Sequence, residues 1–71
     1  MNEARIDIEV NGEPRRVPDG LSVAGLLERL DVDRRTVVVE VNRRVVRRAD
    51  LDDVRVDAGD RVEIVRFVGG G

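Results

Sequence analysis

The chain has 71 residues, 39% of them charged, and a formal net charge of −2. It contains no cysteine, which excludes disulfides and thiolate metal sites. Its apolar runs are only a few residues long, far short of a membrane span. This length predicts one small domain whose core is marginal.

The residue inventory argues against a free-standing enzyme. Histidine, cysteine and lysine are absent, so the usual nucleophiles and near-neutral bases are missing. Fifteen carboxylates remain, but none has the mostly apolar sequence surroundings that would raise its pKa for acid–base work. We see no phosphate loop and no metal-ligand cluster, and the N-terminus lacks the apolar stretch of a secretion signal. A cytoplasmic protein without a bound cofactor or metal is expected.

The first predicted element is a β-hairpin. Ile6, Ile8 and Val10 alternate with charged residues, as in a strand with one buried face. Asn11-Gly12 is a strong signal for a two-residue hairpin turn. The second strand, 13–17, contains Pro14, which cannot donate to a ladder and therefore predicts a sheet edge.

The next element is the main helix, after a turn at Pro18-Asp19-Gly20. The apolar residues fall on one helical face: Val23, Leu26, Leu27 and Leu30. Ser22, the only serine, is placed to cap the N-terminus. A nucleophilic role for Ser22 is disfavoured because no histidine or lysine could activate it.

Three more strands are predicted after the charged connection 31–35. Residues 36–41 are rich in β-branched side chains, 45–46 form a short strand after a turn at 42–44, and 61–68 form the last strand. Residues 47–53 are predicted as a turn or a single helical turn around Leu51, and 57–60 as another turn.

One helix can cover only one face of such a sheet. Val65 and Phe67 fall on the opposite, open face of the last strand, together with Val38 and the charged residues of the first strand. Exposed apolar patches often mark partner interfaces, although scattered exposed valines are also common on small domains. We therefore predict partner docking by Val38, Val65, Phe67 and Val68.

All thirteen basic residues are arginine, and several occur in adjacent pairs. Arg43-Arg44 and Arg47-Arg48 flank Val45-Val46 and could form a basic patch. The net negative charge and the single aromatic residue argue against nucleic-acid binding. A solvated or ion-paired face is favoured, and docking of an acidic protein stays open.

The chain ends in Arg66-Phe67-Val68-Gly69-Gly70-Gly71. Three glycines add no packing, so they are either a chain end without function or a flexible linker that presents the terminal carboxylate to a partner. The domain prediction is therefore 1–68 as the folded body and 69–71 as a flexible glycine tail.

These features together resemble the ubiquitin-like β-grasp sulfur carriers, and among them those of thiamine biosynthesis. The matching pieces cover nearly the whole chain: Val10-Asn11-Gly12-Glu13, Leu26-Leu27 with Leu30, Val39-Glu40-Val41-Asn42, 59–65 and the C-terminal glycines. One departure is Arg47, where the family often has proline. The implied fold is α+β: a mixed sheet of four to five strands with one main helix packed on one face.

The resemblance also implies a mechanism. An E1-like activating enzyme would use ATP to adenylate the carboxylate of Gly71. A desulfurase system would supply sulfur for the resulting thiocarboxylate, which would deliver it to thiazole synthase. Gly69 and Gly70 would thread the terminus into the partner's active site. The chain would thus be a protein-borne sulfur donor, not an enzyme, with no nucleic-acid or membrane partner.

Other classes stay open at this point. Related carriers include the small subunit of molybdopterin synthase and carriers for cysteine synthesis or tRNA thiolation. A β-grasp binding module that contacts RNA or protein would make the tail incidental.

Overall fold

A computed structural model describes residues 4–67 of the chain. Its strands are β1 (Arg5–Val10), β2 (Glu13–Pro18), β3 (Val37–Val41), β4 (Arg44–Val46) and β5 (Arg61–Arg66), and its helix is α1 (Val23–Arg29). Two short 3-10 helices, Arg34–Thr36 and Arg48–Asp50, precede β3 and follow β4.

The five strands form one mixed sheet in the order β2-β1-β5-β3-β4. β1 pairs in parallel with β5, while the β1–β2, β3–β4 and β3–β5 pairs are antiparallel. β2 lies at an edge, as Pro14 predicted. β5 lies at the centre of the sheet, so the strand that leads to the C-terminus has a neighbouring strand on both sides.

The helix packs on one face of the sheet. Val23, Leu26 and Leu27 are at most 1% exposed and form the middle of the core. The sheet contributes buried side chains from alternate positions, which confirms the period-two pattern: Ile8, Val10, Val37, Val39 and Val62. Leu51 and Val56, from the segment between β4 and β5, close the remaining side of the core.

The N-terminus of α1 is capped as the sequence predicted. Ser22 has an extended backbone, and its Oγ accepts a hydrogen bond from the N–H of Gly25 at 2.9 Å. Ser22 is also tied to the chain before β5 through an isolated bridge to Arg55. The serine therefore has a structural role that accounts for its position.

Replacing this cap gives a first testable prediction. Ser22→Ala removes the oxygen that satisfies Gly25 N–H and is expected to lower the free energy of unfolding by about 1 kcal/mol. Ser22→Asp, which retains an acceptor, is the matched control and is expected to stay close to wild type. Urea unfolding followed by circular dichroism measures both. Equal losses in the two variants would contradict the capping role.

Several predicted boundaries were wrong by a residue or more. Thr36 belongs to a 3-10 helix (Arg34–Thr36) rather than to β3, and that helix begins inside the predicted charged connection 31–35. Arg44 begins β4 rather than ending the turn. Leu30 is the C-cap of α1 and not part of it. Phe67 lies one residue beyond β5, although its N–H still donates to Thr36 O at 2.9 Å.

Candidate functional site

The strand that leads to the tail is held from both sides by asparagine side chains. Asn11 Oδ1 accepts from Ile64 N–H at 2.8 Å, and Asn11 Nδ2 donates to Ile64 O at 3.4 Å. On the other side, Asn42 Oδ1 accepts from Arg61 N–H at 3.0 Å. Each asparagine thus extends the hydrogen bonding of β5 beyond the point where its own strand turns away.

Both asparagines occupy the first position of a two-residue hairpin loop with positive φ. The φ angles are 51° at Asn11 and 83° at Gly12, and 52° at Asn42 and 71° at Arg43. Asparagine tolerates this conformation better than most residues, which explains its use in both loops. The sequence indicated the turns but not the side-chain bonds to β5, since residues 11 and 64 are 53 positions apart.

We expect Asn11→Gly to loosen the end of β5 without disturbing the hairpin, because glycine keeps the positive φ. The loss of the two bonds to Ile64 is expected to cost about 1 kcal/mol of stability. Hydrogen exchange of the Ile64 amide is the sharper measurement and should accelerate. Asn42→Gly is the matched control, and it should accelerate exchange at Arg61 instead. Unchanged exchange of the Ile64 amide in Asn11→Gly would contradict the role of Asn11 in holding β5.

An apolar patch lies on the open face of the sheet, away from α1. Val38 stands directly opposite Val65 in the β3–β5 register. Val65 is 55% and Phe67 50% exposed. The structure therefore brings together three of the four predicted docking residues; Val68 lies outside the described residues, as do Gly69, Gly70 and Gly71 and the predicted boundary between body and tail.

Val45 is a fourth member of the open-face patch that the sequence did not single out. It is 59% exposed and pairs with Glu40, which places it on the same face as Val38. The signal was present in principle, but it depended on the register of β4 against β3. Val38, Val45, Val65 and Phe67 together form the open-face patch.

The rest of the open face carries mostly charged side chains, with two prolines of β2 among them. Arg5 and Asp7 are exposed, and two ion pairs cross between strands: Asp7 with Arg16 at 3.2 Å and Glu9 with Arg61 at 3.3 Å. Glu40 and Glu63 stand opposite each other beside the open-face patch. The patch is therefore bounded by charges along the sheet, which is the usual anatomy of a small docking surface.

The arginine pairs differ in their surroundings. Arg34 makes a two-point contact with Asp52 at 3.0 and 2.9 Å, and Arg35 binds Asp33 at 2.9 Å. By contrast, Arg43, Arg44, Arg47 and Arg48 form no ion pair within residues 4–67. Arg34 and Arg35 are thus ion-paired, whereas Arg43, Arg44, Arg47 and Arg48 are exposed without an ion pair among the described residues.

These ion pairs shift two carboxylate pKa values. Hydrogen bonds from the Arg35 side chain, and next from its backbone N–H, lower the pKa of Asp33 from 3.8 to about 2. The Arg34 guanidinium lowers the pKa of Asp52. Carboxylates with lowered pKa values stabilise the fold above their unfolded pKa, and they lose this contribution as the pH falls through the folded pKa.

Stability is therefore expected to be flat between about pH 5 and pH 8, since no histidine titrates there, and to fall below about pH 4. Urea midpoints measured across this range provide the test. The double variant Asp33→Asn with Asp52→Asn is the control, and its free energy of unfolding should fall less steeply as the pH is lowered below about 4. A steep change near pH 6.5 would contradict the assignment.

Two other kinds of site are absent from the described residues. Within 4–67, no group of three or more acidic side chains is arranged to hold a metal ion. No helix of that region is both long and apolar enough to cross a bilayer.

One helix on a mixed five-stranded sheet, with a central last strand that leads to C-terminal glycines, defines a β-grasp protein of the carrier type. The ThiS family model matches residues 8–71. The chain therefore belongs to the ThiS family, which confirms the resemblance predicted from its sequence.

Solved structures agree with this assignment. The crystal structure of the thiamine biosynthesis protein ThiS from Geobacter metallireducens superimposes with a TM-score of 0.78 at 40% identity, covering 93% of this chain and all of that one. The solution structure of a thiamine biosynthesis protein from the same organism gives a TM-score of 0.75 at 39% identity, covering 93% of this chain and 88% of that one.

Curated relatives are of two kinds. A thiazole synthase of Paramagnetospirillum magneticum is 44% identical over 87% of this chain, and one of Magnetococcus marinus is 39% identical over 90%. The chain spans about a fifth of the length of these two synthases (19% and 20%). An uncharacterised protein of Porphyra purpurea, ycf40, is 32% identical over the full length of both chains.

Proposed function

We propose that this chain is the sulfur carrier of thiamine thiazole synthesis and that it carries sulfur as a thiocarboxylate on Gly71. The observation that carries the proposal is the ThiS family match, which extends through the glycines to residue 71. The match also favours a thiamine carrier over the small subunit of molybdopterin synthase and over a binding module with an incidental tail.

The proposed chemistry takes place at the carboxylate of Gly71. An α-carboxyl group has a pKa of about 3.5, so it is ionised at neutral pH and can attack the α-phosphorus of ATP. Pyrophosphate leaves, and an acyl-adenylate remains. A persulfide from the desulfurase system then attacks the carbonyl carbon and AMP leaves, and a thiol reductant cleaves the S–S bond of the resulting acyl disulfide to release the thiocarboxylate. Glycine leaves that carbon free of a neighbouring side chain.

The folded body provides the surface by which a partner would bind the protein during this reaction. Residues 69–71 span at most about 10 Å, so the carboxylate can enter a cleft while the body docks outside it. The side chains of Asn11 and Asn42 hold β5, the strand that leads to the tail. The open-face patch lies beside the C-terminal end of that strand. We assign partner docking to Val38, Val65, Phe67 and Val68, and threading to Gly69 and Gly70.

The proposed partners are an E1-like activating enzyme that uses ATP, a desulfurase system that supplies sulfur, and thiazole synthase as the acceptor. Support for the last comes from the two curated synthases, whose chains include a segment similar to this protein. Carrier and synthase segments that share a polypeptide are expected to act on one another when separate. The chain itself needs no bound cofactor in this scheme, and we expect the reaction in the cytoplasm.

Intact-mass spectrometry of the protein purified from its native host tests the proposal. A fraction of the protein should be heavier by the replacement of one oxygen with sulfur, and fragmentation should place the change on Gly71. Incubation with the activating enzyme, ATP and a sulfur source should raise that fraction, whereas omission of ATP should prevent it. An unchanged mass after complete reconstitution would overturn the carrier function.

A further inference from the structure

A groove opens where β4 ends and leaves part of β3 uncovered. It has a volume of about 250 Å³, and it is lined mostly by apolar side chains, among them Val37, Val46, Leu51 and Phe67. Three arginines stand around it: Arg34, Arg47 and Arg48. The groove shares Val38, Val45 and Phe67 with the open-face patch.

The hydrogen-bonding pattern of β3 shows what the groove leaves unpaired. Phe67 N–H donates to Thr36 O and Asn42 N–H donates to Arg61 O, so the even-numbered residues of this segment bond towards β5. The odd-numbered residues, Val37, Val39 and Val41, therefore direct their N–H and C=O groups towards β4.

β4 provides partners for only two of these three residues. Val39 pairs with Val46, and Val41 pairs with Arg44. The chain then turns into the 3-10 helix at Arg48, and within residues 4–67 no backbone hydrogen bond reaches Val37 from that side. The N–H and C=O of Val37 on this side are therefore a free donor and acceptor at the sheet edge.

The charged residues that line the groove are arginines, and one of them, Arg48, donates from Nη2 to Arg35 O at 3.5 Å. Arg47 and Arg48 form no ion pair in the described part of the chain. Arg34 is held in place by Asp52. Guanidinium groups bind carboxylates with strong, charge-assisted hydrogen bonds, so a segment bound here would gain from acidic side chains.

We infer that this groove is a docking site for an extended acidic segment of a partner protein, distinct from the proposed chemistry at Gly71. The segment would continue the sheet by pairing its backbone with Val37, place an apolar side chain in the groove, and present carboxylates to Arg47 and Arg48. Strand addition of this kind obtains affinity from main-chain bonds and specificity from side-chain pockets.

Two other occupants fit less well. Single-stranded nucleic acid would need aromatic stacking surfaces, and Phe67 is the only aromatic residue of the chain. A second copy would have to offer an acidic edge strand, but the other edge strand, β2, carries Arg15 and Arg16 and two prolines.

A titration followed by ¹⁵N NMR tests this inference with the intact chain. The probe is a capped heptapeptide of alternating glutamate and valine, added to about 1 mM. The amides of Val37 and Val38 should shift, and the Val37 amide should exchange more slowly. Binding should weaken as salt is added, because arginine–carboxylate attraction is screened. A heptapeptide of alternating lysine and valine should not bind.

Charge reversal provides the matched comparison. Arg47→Glu with Arg48→Glu should weaken peptide binding by about tenfold or more, whereas Arg5→Glu with Arg15→Glu, which changes the net charge equally at the other side of the sheet, should leave it unchanged. The inference is overturned by absent or scattered shifts, by equal losses in both variants, by equal binding of an oligothymidylate, or by self-association without peptide. Because the titration does not use Gly71, its failure would leave the carrier function intact, and the mass measurement tests that function separately.

Discussion

Shortening the glycine tail by one residue is expected to reduce thiocarboxylate formation by about a hundredfold or more. Deletion of Gly71 draws the terminal carboxylate back by about 3.5 Å relative to the docked body. The new terminus is still a glycine, so the chemistry of the reacting group is preserved. Misplacement of a reacting atom by about 1 Å can already cost two orders of magnitude in rate, and this displacement is larger.

Two further variants separate the effect of tail length from the effect of the residue type at the C-terminus. An alanine appended after Gly71 moves the carboxylate outward and is also expected to prevent the reaction. Gly71→Ala keeps the reach and tests only the room beside the carbonyl, so it should retain more activity than either change in length. ATP-dependent mass change with the activating enzyme measures all three variants. Wild-type rates in the shortened protein would show that the working carboxylate does not depend on this tail length.

Much of the scaffold could be predicted because its signals are local. The alternation of Ile6, Ile8 and Val10, the Asn11-Gly12 turn and the Ser22 cap each depend on a few neighbouring residues. The resemblance to the carrier family then supplied the mixed sheet. The 3-10 helix at Arg34–Thr36 was missed because three charged or polar residues carry no apolar period.

The features that escaped prediction depend on register between distant segments. The bond from Ile64 to Asn11 requires β5 to lie beside the first hairpin, and the exposure of Val45 requires its pairing with Glu40. The free edge at Val37 arises only because β4 ends at Val46, two residues before the position that the register would place opposite Val37. The sequence near Val37 does not indicate where β4 ends, so the groove could be recognised only in the folded chain.

Partner binding through the open-face patch should depend strongly on Phe67. Its side chain is half exposed beside Val65 and Val38, at the point where the chain leaves the sheet towards the tail. Phe67→Asp would place a charge in the centre of a contact that excludes water. The loss expected for an aromatic anchor is about 2 kcal/mol or more, equivalent to roughly thirtyfold in affinity for the activating enzyme or the synthase.

Phe67 lies outside the core, so its replacement is expected to leave the unfolding midpoint nearly unchanged. Phe67→Leu keeps an apolar side chain and should bind more tightly than Phe67→Asp. Val65→Asp, a second charge in the same patch, should reproduce the loss. Calorimetric titration against each partner, together with urea unfolding, separates docking from stability. Because β5 itself is fixed by Asn11 and Asn42, a loss of binding at constant stability would mean that Phe67 contributes through direct contact, whereas unchanged binding would assign docking to another face of the protein.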